Sequence, residues 1–250
     1  MSTTDRFASR IAVVTGAAQG IGRAIADRLA REGAFVYAAD RQPEKASTSG
    51  LQHLVECTLD VTDPASIAAL FHEIEDRHGR CDMLVNNAGI PGELPLHEMT
   101  LPYWNNVFAV NVTGQMLMCQ AAAPLMSHHG SIVNLSSVAA HLGFADRAAY
   151  CASKAAVLGL TRALAVELAP NGIRVNCLCP GTVQTPWIER LVGNDAGAEE
   201  RRTSLATRQV LNRIGAPEEI AAAVAFLLSE EASFITGSVI MADGGMLSSR

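Results

Sequence analysis

Short apolar runs and one-sided apolar periodicities take turns along the whole chain. Residues 10–15 form an apolar run of strand length, and 20–31 carry apolar positions on one face of a helix. A second strand is predicted over 34–39 and, after a polar stretch at 41–50, a third around 53–59. Asp63-Pro64 opens a helix, with the Asp as N-cap and the Pro at the first helical position; Gly79 suits the C-terminal cap after His78. Strands follow at 83–86 and 131–135, separated by a long helix over 100–126. A helix over 150–169 closes on Pro170-Asn171-Gly172, and a strand follows at 173–178. A helix at 218–228 precedes a last short strand at 238–241.

These strands are continuous apolar runs, the pattern of a parallel sheet covered by helices on both faces. No linker interrupts the alternation. The chain therefore reads as one doubly wound α/β domain over 1–250, with about seven strands. One segment departs from the pattern. Residues 181–213 read as irregular, charged around 194–202, and suit a mobile flap because the alternation resumes beyond them.

Composition narrows the classes of function. Of 250 residues, 49% are hydrophobic and 18% charged, which fits a packed globular protein and excludes a disordered one. A net charge of -6 without basic blocks offers nothing to nucleic acid or to an anionic membrane. No apolar run is long enough to span a bilayer, and the first ten residues lack a signal-peptide core, so a cytoplasmic protein is expected. The six cysteines, with Cys177 and Cys179 alternating along a strand and Cys151 inside the segment discussed next, show no zinc-site spacing; reduced thiols and no metal are expected.

Two segments carry chemistry. Tyr150-Cys151-Ala152-Ser153-Lys154 places a phenol and an ammonium at i and i+4, on one helix face. A neighbouring cation lowers a phenol's pKa, and a three-unit drop from about 10 takes roughly 4 kcal/mol. Thr15-Gly16-Ala17-Ala18-Gln19-Gly20-Ile21-Gly22 lies between the first strand and first helix. Glycines there allow a tight turn and close backbone approach to a pyrophosphate, while the helix start offers free N–H groups. Asp40 ends the second strand, where a carboxylate accepts from both ribose hydroxyls and repels a 2′-phosphate, favouring NAD over NADP. Arg41 beside it either turns toward a phosphate or is a solvated loop residue. Asp60 and Val61, after the third strand, are placed to meet an adenine.

With these residues in order, the chain resembles the short-chain dehydrogenase/reductase family over essentially its whole length. The resemblance rests on the Thr15–Gly22 turn, Asn86-Asn87-Ala88-Gly89, Asn111, Asn134-Leu135-Ser136-Ser137, Tyr150 with Lys154, and Pro180-Gly181 followed by Thr185. It implies a Rossmann-type fold and a nicotinamide cofactor held by Gly16, Gln19, Gly20, Ile21, Gly22, Asn87, Ala88, Gly89, Tyr150, Lys154, Pro180, Gly181, Val183 and Thr185. Tyr150 would be the acid/base, with Lys154 lowering its pKa and holding the nicotinamide ribose. Ser137, thirteen residues before the Tyr, would hold the substrate oxygen, with Ser136 the neighbouring alternative. Asn111 would fix a water linking Lys154 to solvent. The family's usual homotetramer is also implied.

For substrate contacts, three loops stand at the carboxyl ends of strands: 91–96, 141–147 and 187–213. Arg147, three residues before Tyr150, is placed to fork a substrate carboxylate, and Arg190 and Arg208 to close over it. The alternative is that these arginines are solvated or paired with Glu189, Glu199 or Glu200. His141 and Trp187 are candidate pocket walls. The 180–186 segment with these arginines is similar to the hydroxy-acid and 2-keto-3-deoxy-sugar-acid dehydrogenase subgroup, which implies carbohydrate metabolism. An NADP-dependent 3-oxoacyl reductase, a neutral polyol dehydrogenase and a dinucleotide-sensing regulator are the competing readings; intact Ser137, Tyr150 and Lys154 argue against the last.

Overall fold

The computed structural model describes residues 5–43, 51–126 and 129–249. The remainder of the 41–50 polar stretch, from 44 on, lies outside them. Seven strands form one parallel sheet: β1 (Ile11–Thr15), β2 (Phe35–Asp40), β3 (Leu54–Thr58), β4 (Met83–Asn86), β5 (Ser131–Leu135), β6 (Arg174–Pro180) and β7 (Val239–Ala242). Their spatial order is β3-β2-β1-β4-β5-β6-β7, so the chain reverses direction between β1 and β4. That reversal opens a crevice at the carboxyl ends of the strands, the place where ligands bind in such sheets.

Burial explains the order. Along β1, Ala12 and Val14 enter one apolar cluster with Ile25 and Leu29 of α1 (Gly20–Arg31). Ile11 and Val13 enter the opposite one with Ile67, Leu70 and Ile74 of α2 (Pro64–His78). A strand buried on both sides needs apolar residues at every position, which is why no alternation was visible. The α2 boundaries follow local chemistry: Asp63 Oδ1 accepts from Ala65 N at 3.0 Å, and Gly79 adopts φ +68° as its left-handed cap.

Two segments differ from expectation. The single helix over 100–126 is α3 (Leu101–Phe108) and α4 (Gly114–Ala122) joined by one turn of π-helix, Ala109–Thr113, and closed by a 3₁₀ turn. Asn111 sits in that widened turn and is fully buried. The irregular flap contains α6 (Pro186–Val192) and α7 (Ala198–Ala206), which follow α5 (Ala148–Leu168) in the chain. Thr185 caps α6, with Pro186 at its first position, while Ile188, Val192 and Leu205 bury against one another. Charge on α7 hid this pattern: Glu199, Glu200 and Arg202 face outward, leaving Leu205 as its buried anchor. The last helix, α8 (Pro217–Leu228), packs beside α1. Ile220, Val224, Leu227 and Leu228 on it are buried, while Phe226 is exposed.

Candidate active site

The crevice holds two cavities, of about 510 Å³ and 240 Å³, that share a wall made of Ile21, Ser136, Arg147, Tyr150, Pro180, Thr185 and Trp187. All of the residues expected to meet the cofactor line the larger cavity except Gly22, Gly181 and Val183. Gly181 and Val183 line the smaller one, and Gly22 lies beneath the turn.

The glycine turn is built against the end of β4. Thr15 Oγ1 accepts from Asn87 N and Ala88 N, each at 3.0 Å. Asn87 Nδ2 returns the link, donating to Thr15 O at 2.9 Å and Gly16 O at 3.0 Å. Gly16 has φ +65°, and a side chain there would stand 2.9 Å from Ala88 Cα. At Gly22 a Cβ would collide with the Gly16 carbonyl, so α1 can approach the turn only with glycine in that place. Gln19, at the N-cap of α1, makes no side-chain cap and the first turn holds no acidic residue. The N–H groups of that turn have no intrahelical partner and face the cavity with favourable dipole sign. The residues present thus fit a dinucleotide pyrophosphate.

Asp40 is held from two sides. Its Oδ2 accepts from Ala18 N at 3.2 Å and its Oδ1 from Gln42 N at 3.0 Å. Asp60 lines the cavity beside Val61, but its carboxylate is engaged by Thr62, through N at 2.8 Å and Oγ1 at 2.6 Å. Those two bonds, with the Arg41 charge adding less, hold its pKa below the usual carboxylate value.

Beyond β5 the two serines separate. Ser136 Oγ donates to the carbonyl of Lys154 at 2.7 Å and is consumed there. Ser137 Oγ accepts from Ala139 N at 3.1 Å and lies near enough to the Tyr150 phenol to oppose the rise in its pKa. Lys154, 4% exposed, donates to Leu135 O at 3.0 Å and stands 5.7 Å from the centre of the Tyr150 ring. Burial pushes its pKa down to about 8.

The Tyr150 phenol departs from expectation. Burial raises it above its ordinary value of 10.0, and the opposing effects are the Ser137 hydroxyl and the Arg147 charge. Burial outweighs them, so lowering this phenol to near neutrality requires more positive charge than the protein places beside it. Asn111 also holds the backbone around the site. Its side chain clamps both backbone groups of Ile90 (Oδ1 from N at 2.8 Å, Nδ2 to O at 3.1 Å) and donates to Ser153 Oγ at 3.0 Å. It thereby pins the β4 loop to α5. Asn111 Oδ1 and Lys154 Nζ nonetheless converge on one space, since a Cβ on Gly89 would lie 3.2 Å from the first and 3.5 Å from the second.

Of the expected substrate residues, Ser137 and Arg208 line the smaller cavity, and Arg147, Tyr150 and Trp187 line both. Arg190 opens on the larger cavity, because it shares a face of α6 with Trp187, whereas Ile188 and Leu191 share the face turned to the smaller one. His141 lines neither. Phe144, three residues on, provides the wall instead. Leu205 and Met246 also line this cavity and carry no sequence signal; Met246 is held by the turn in which Asp243 accepts from Gly245 N and Leu247 N at 3.0 Å and 2.8 Å. Arg147 is engaged as well: its guanidinium lies 3.2 Å from Glu93 and 4.5 Å from the Trp187 ring centre.

A nucleotide cradle meeting a Ser–Tyr–Lys cluster at the crevice of a seven-stranded parallel sheet defines an oxidoreductase. Residues 16–247 match the family model described as enoyl-(acyl carrier protein) reductase. The chain is 40% identical to 2-(S)-hydroxypropyl-CoM dehydrogenase 3 of Xanthobacter autotrophicus, over 97% of this chain and 98% of that one. It is 41% identical to cis-4-hydroxycyclohexanecarboxylate dehydrogenase of Sinomonas cyclohexanicum, over 96% and 98% respectively. The ligand-free structure of Thermoplasma acidophilum aldohexose dehydrogenase superposes with a TM-score of 0.90 at 37% identity, covering 98% of this chain and 96% of that one. The chain belongs to the short-chain dehydrogenase/reductase family, whose members use nicotinamide dinucleotides.

Proposed function

We propose that the protein is an NAD-dependent dehydrogenase interconverting a secondary alcohol and its ketone, with a hydroxy acid or sugar acid as substrate. The observation that supports this most is the meeting of Ser137 and Tyr150 on the smaller cavity, with buried Lys154 5.7 Å from the Tyr150 ring centre. The nicotinamide, when bound, supplies the hydride acceptor. Tyr150 Oη takes the hydroxyl proton of the alcohol, or returns it to the ketone oxygen. Ser137 Oγ, one lone pair held by Ala139 N, directs its own proton at the substrate oxygen. Lys154 holds positive charge beside the Tyr150 ring and would bond the nicotinamide ribose. Asn111 holds the loop above, and the space over Gly89 that it shares with Lys154 suits a water leading to solvent. Thr185 in the shared wall and Val183 beside it in the smaller cavity are proposed to meet the nicotinamide amide. The reading includes a cytoplasmic homotetramer, for which Phe226, Phe234 and Val166 offer exposed apolar contacts.

Asp40 supports NAD. Its carboxylate is held by two N–H groups, and a 2′-phosphate brought to it would meet its charge. Like charges brought together cost several kcal/mol, so kcat/KM for NAD should exceed that for NADP by on the order of 100-fold. Asp40→Ser should lose most of that margin. A wild-type preference for NADP would overturn the cofactor assignment and favour 3-oxoacyl reduction, an activity named for a 39% identical protein of Thermotoga maritima.

Arg147 and Arg208 on the smaller cavity support an anionic substrate, and Phe144, Leu191, Leu205 and Met246 give it an apolar wall. NADH formation should be followed across hydroxy acids, aldonates and neutral sugars. Hydrogen bonds to a charged group are worth about 1.5–3 kcal/mol, so Arg147→Ala should cost the acids roughly 10- to 100-fold in kcat/KM. If neutral alcohols dominate and the substitution leaves them unchanged, the substrate is not an acid.

A further inference from the structure

Arg147 already has a carboxylate. We propose that Glu93 occupies, in the substrate-free enzyme, the place on Arg147 that a substrate carboxylate takes, and so is a positioning residue that sets how readily the site admits anionic alcohols. The inference rests on the anionic-substrate reading above and adds to it the residue that opposes the anion.

The geometry favours a side chain that can be displaced over a permanent strut. The two partners are unequally exposed: the Arg147 side chain is 14% exposed and that of Glu93 48%. Arg147 does not depend on Glu93 for its position. Its guanidinium lies 4.5 Å from the Trp187 ring centre and 6.0 Å from that of Tyr150, within cation–π range of both. It therefore stays in the shared wall when its anion changes.

Glu93 is fixed at its backbone and loose at its tip. On one side, Gly92 has φ +55°, and a Cβ there would meet Val107 at 3.1 Å and Tyr150 N at 3.3 Å. On the other, Leu94 N donates to Asp146 O at 2.8 Å, which ties the loop to the residue before Arg147. Between these anchors a side-chain rotation is enough to move the Glu93 carboxylate out to water, without moving the loop. A substrate carboxylate entering the smaller cavity then meets a guanidinium already held in its wall, 6.0 Å from the Tyr150 ring centre. A neutral alcohol has nothing to offer Arg147 in exchange, and the pair stays closed.

The test compares a hydroxy acid with its own primary amide, which keeps size and reacting carbon but removes the charge. Glu93→Gln keeps the shape of the side chain and the backbone anchors. The ratio of kcat/KM for acid over amide should rise about five-fold, the order of a part-exposed ion pair, and the change should be carried by KM for the acid. Glu93→Ala should move the ratio in the same direction. If Arg147→Ala still ruins the acid but neither Glu93 variant raises the ratio, Glu93 is only a structural partner and the proposal falls alone. If wild type and Arg147→Ala both handle acid and amide alike, the anionic reading falls and takes the proposal with it.

Discussion

Tyr150→Phe should lower turnover about a thousand-fold or more, in both directions, while leaving the fold and dinucleotide binding intact. The ring itself is structural: Arg147 and Lys154 stand 6.0 Å and 5.7 Å from its centre, and Phe preserves both contacts. What disappears is the hydroxyl that shares the smaller cavity with Ser137. No second acid stands ready, because the Lys154 ammonium is turned to Leu135 O and the Ser136 hydroxyl to Lys154 O. General acid–base catalysis contributes about 10²–10⁴-fold, and here a single group provides it. The wild-type pH profiles test the same atom. Because burial raises the Tyr150 phenol, alcohol oxidation, which needs the phenolate, should increase into the alkaline range. Ketone reduction, which needs the phenol, should fall over that range. Steady-state rates, with cofactor binding followed by fluorescence, separate chemistry from affinity. A variant that keeps a tenth of wild-type kcat would remove Tyr150 from the mechanism.

The parts of this site that local chemistry specifies were readable in the sequence. Asp63-Pro64 and Gly79 bound α2 through contacts within a few residues. The glycines at 16 and 22 announce a turn with no room for a side chain, and Gly20 bends it at φ +59°. Asp40 and Tyr150/Lys154 sit at positions that the strand and helix periods dictate. What could not be read depends on partners far away in the chain. Nothing near Asn111 shows that its amide spans 21 residues back to Ile90 and 42 forward to Ser153. The two serines at 136 and 137 look alike until β5 directs one to the Lys154 carbonyl and the other to Tyr150. Met246 reaches the smaller cavity because a turn folds the segment after β7 back over it. The helices of the flap were missed for a different reason: charge on α7 outweighed the sparse apolar positions by which it is anchored. Arg147 was located from its distance to Tyr150, but Glu93, 54 residues upstream, was not paired with it.

Lys154→Met should cost on the order of 100-fold in turnover and yet make the protein melt at a higher temperature. Lys154 is 4% exposed, and burial lowers its pKa from 10.5 to about 8. The native state therefore binds that proton less tightly than the unfolded chain does. At 1.36 kcal/mol per unit, this shift amounts to roughly 3 kcal/mol spent against folding whenever the lysine is charged in both states. The sign fixes the pH window. The cost is present in full below about pH 8 and fades as pH climbs from about 8 towards 10.5, where the unfolded chain also loses its proton. Methionine fills similar space without charge. The carbonyl that Lys154 leaves is not orphaned, since Gln115 Nε2 also donates to Leu135 O, at 3.3 Å. For a chain of this length about 1 kcal/mol moves the melting temperature by 2–4 °C. After allowance for lost packing, a gain of about 5 °C at pH 7 is expected, shrinking towards zero by pH 10. Melting curves at the two pH values decide the matter. A variant no more stable than wild type at pH 7, or equally stabilised at both, would mean that the ammonium is compensated where it lies. The expected outcome would instead mark Lys154 as a charge kept for catalysis at the expense of stability, as strained or destabilising groups at active sites commonly are.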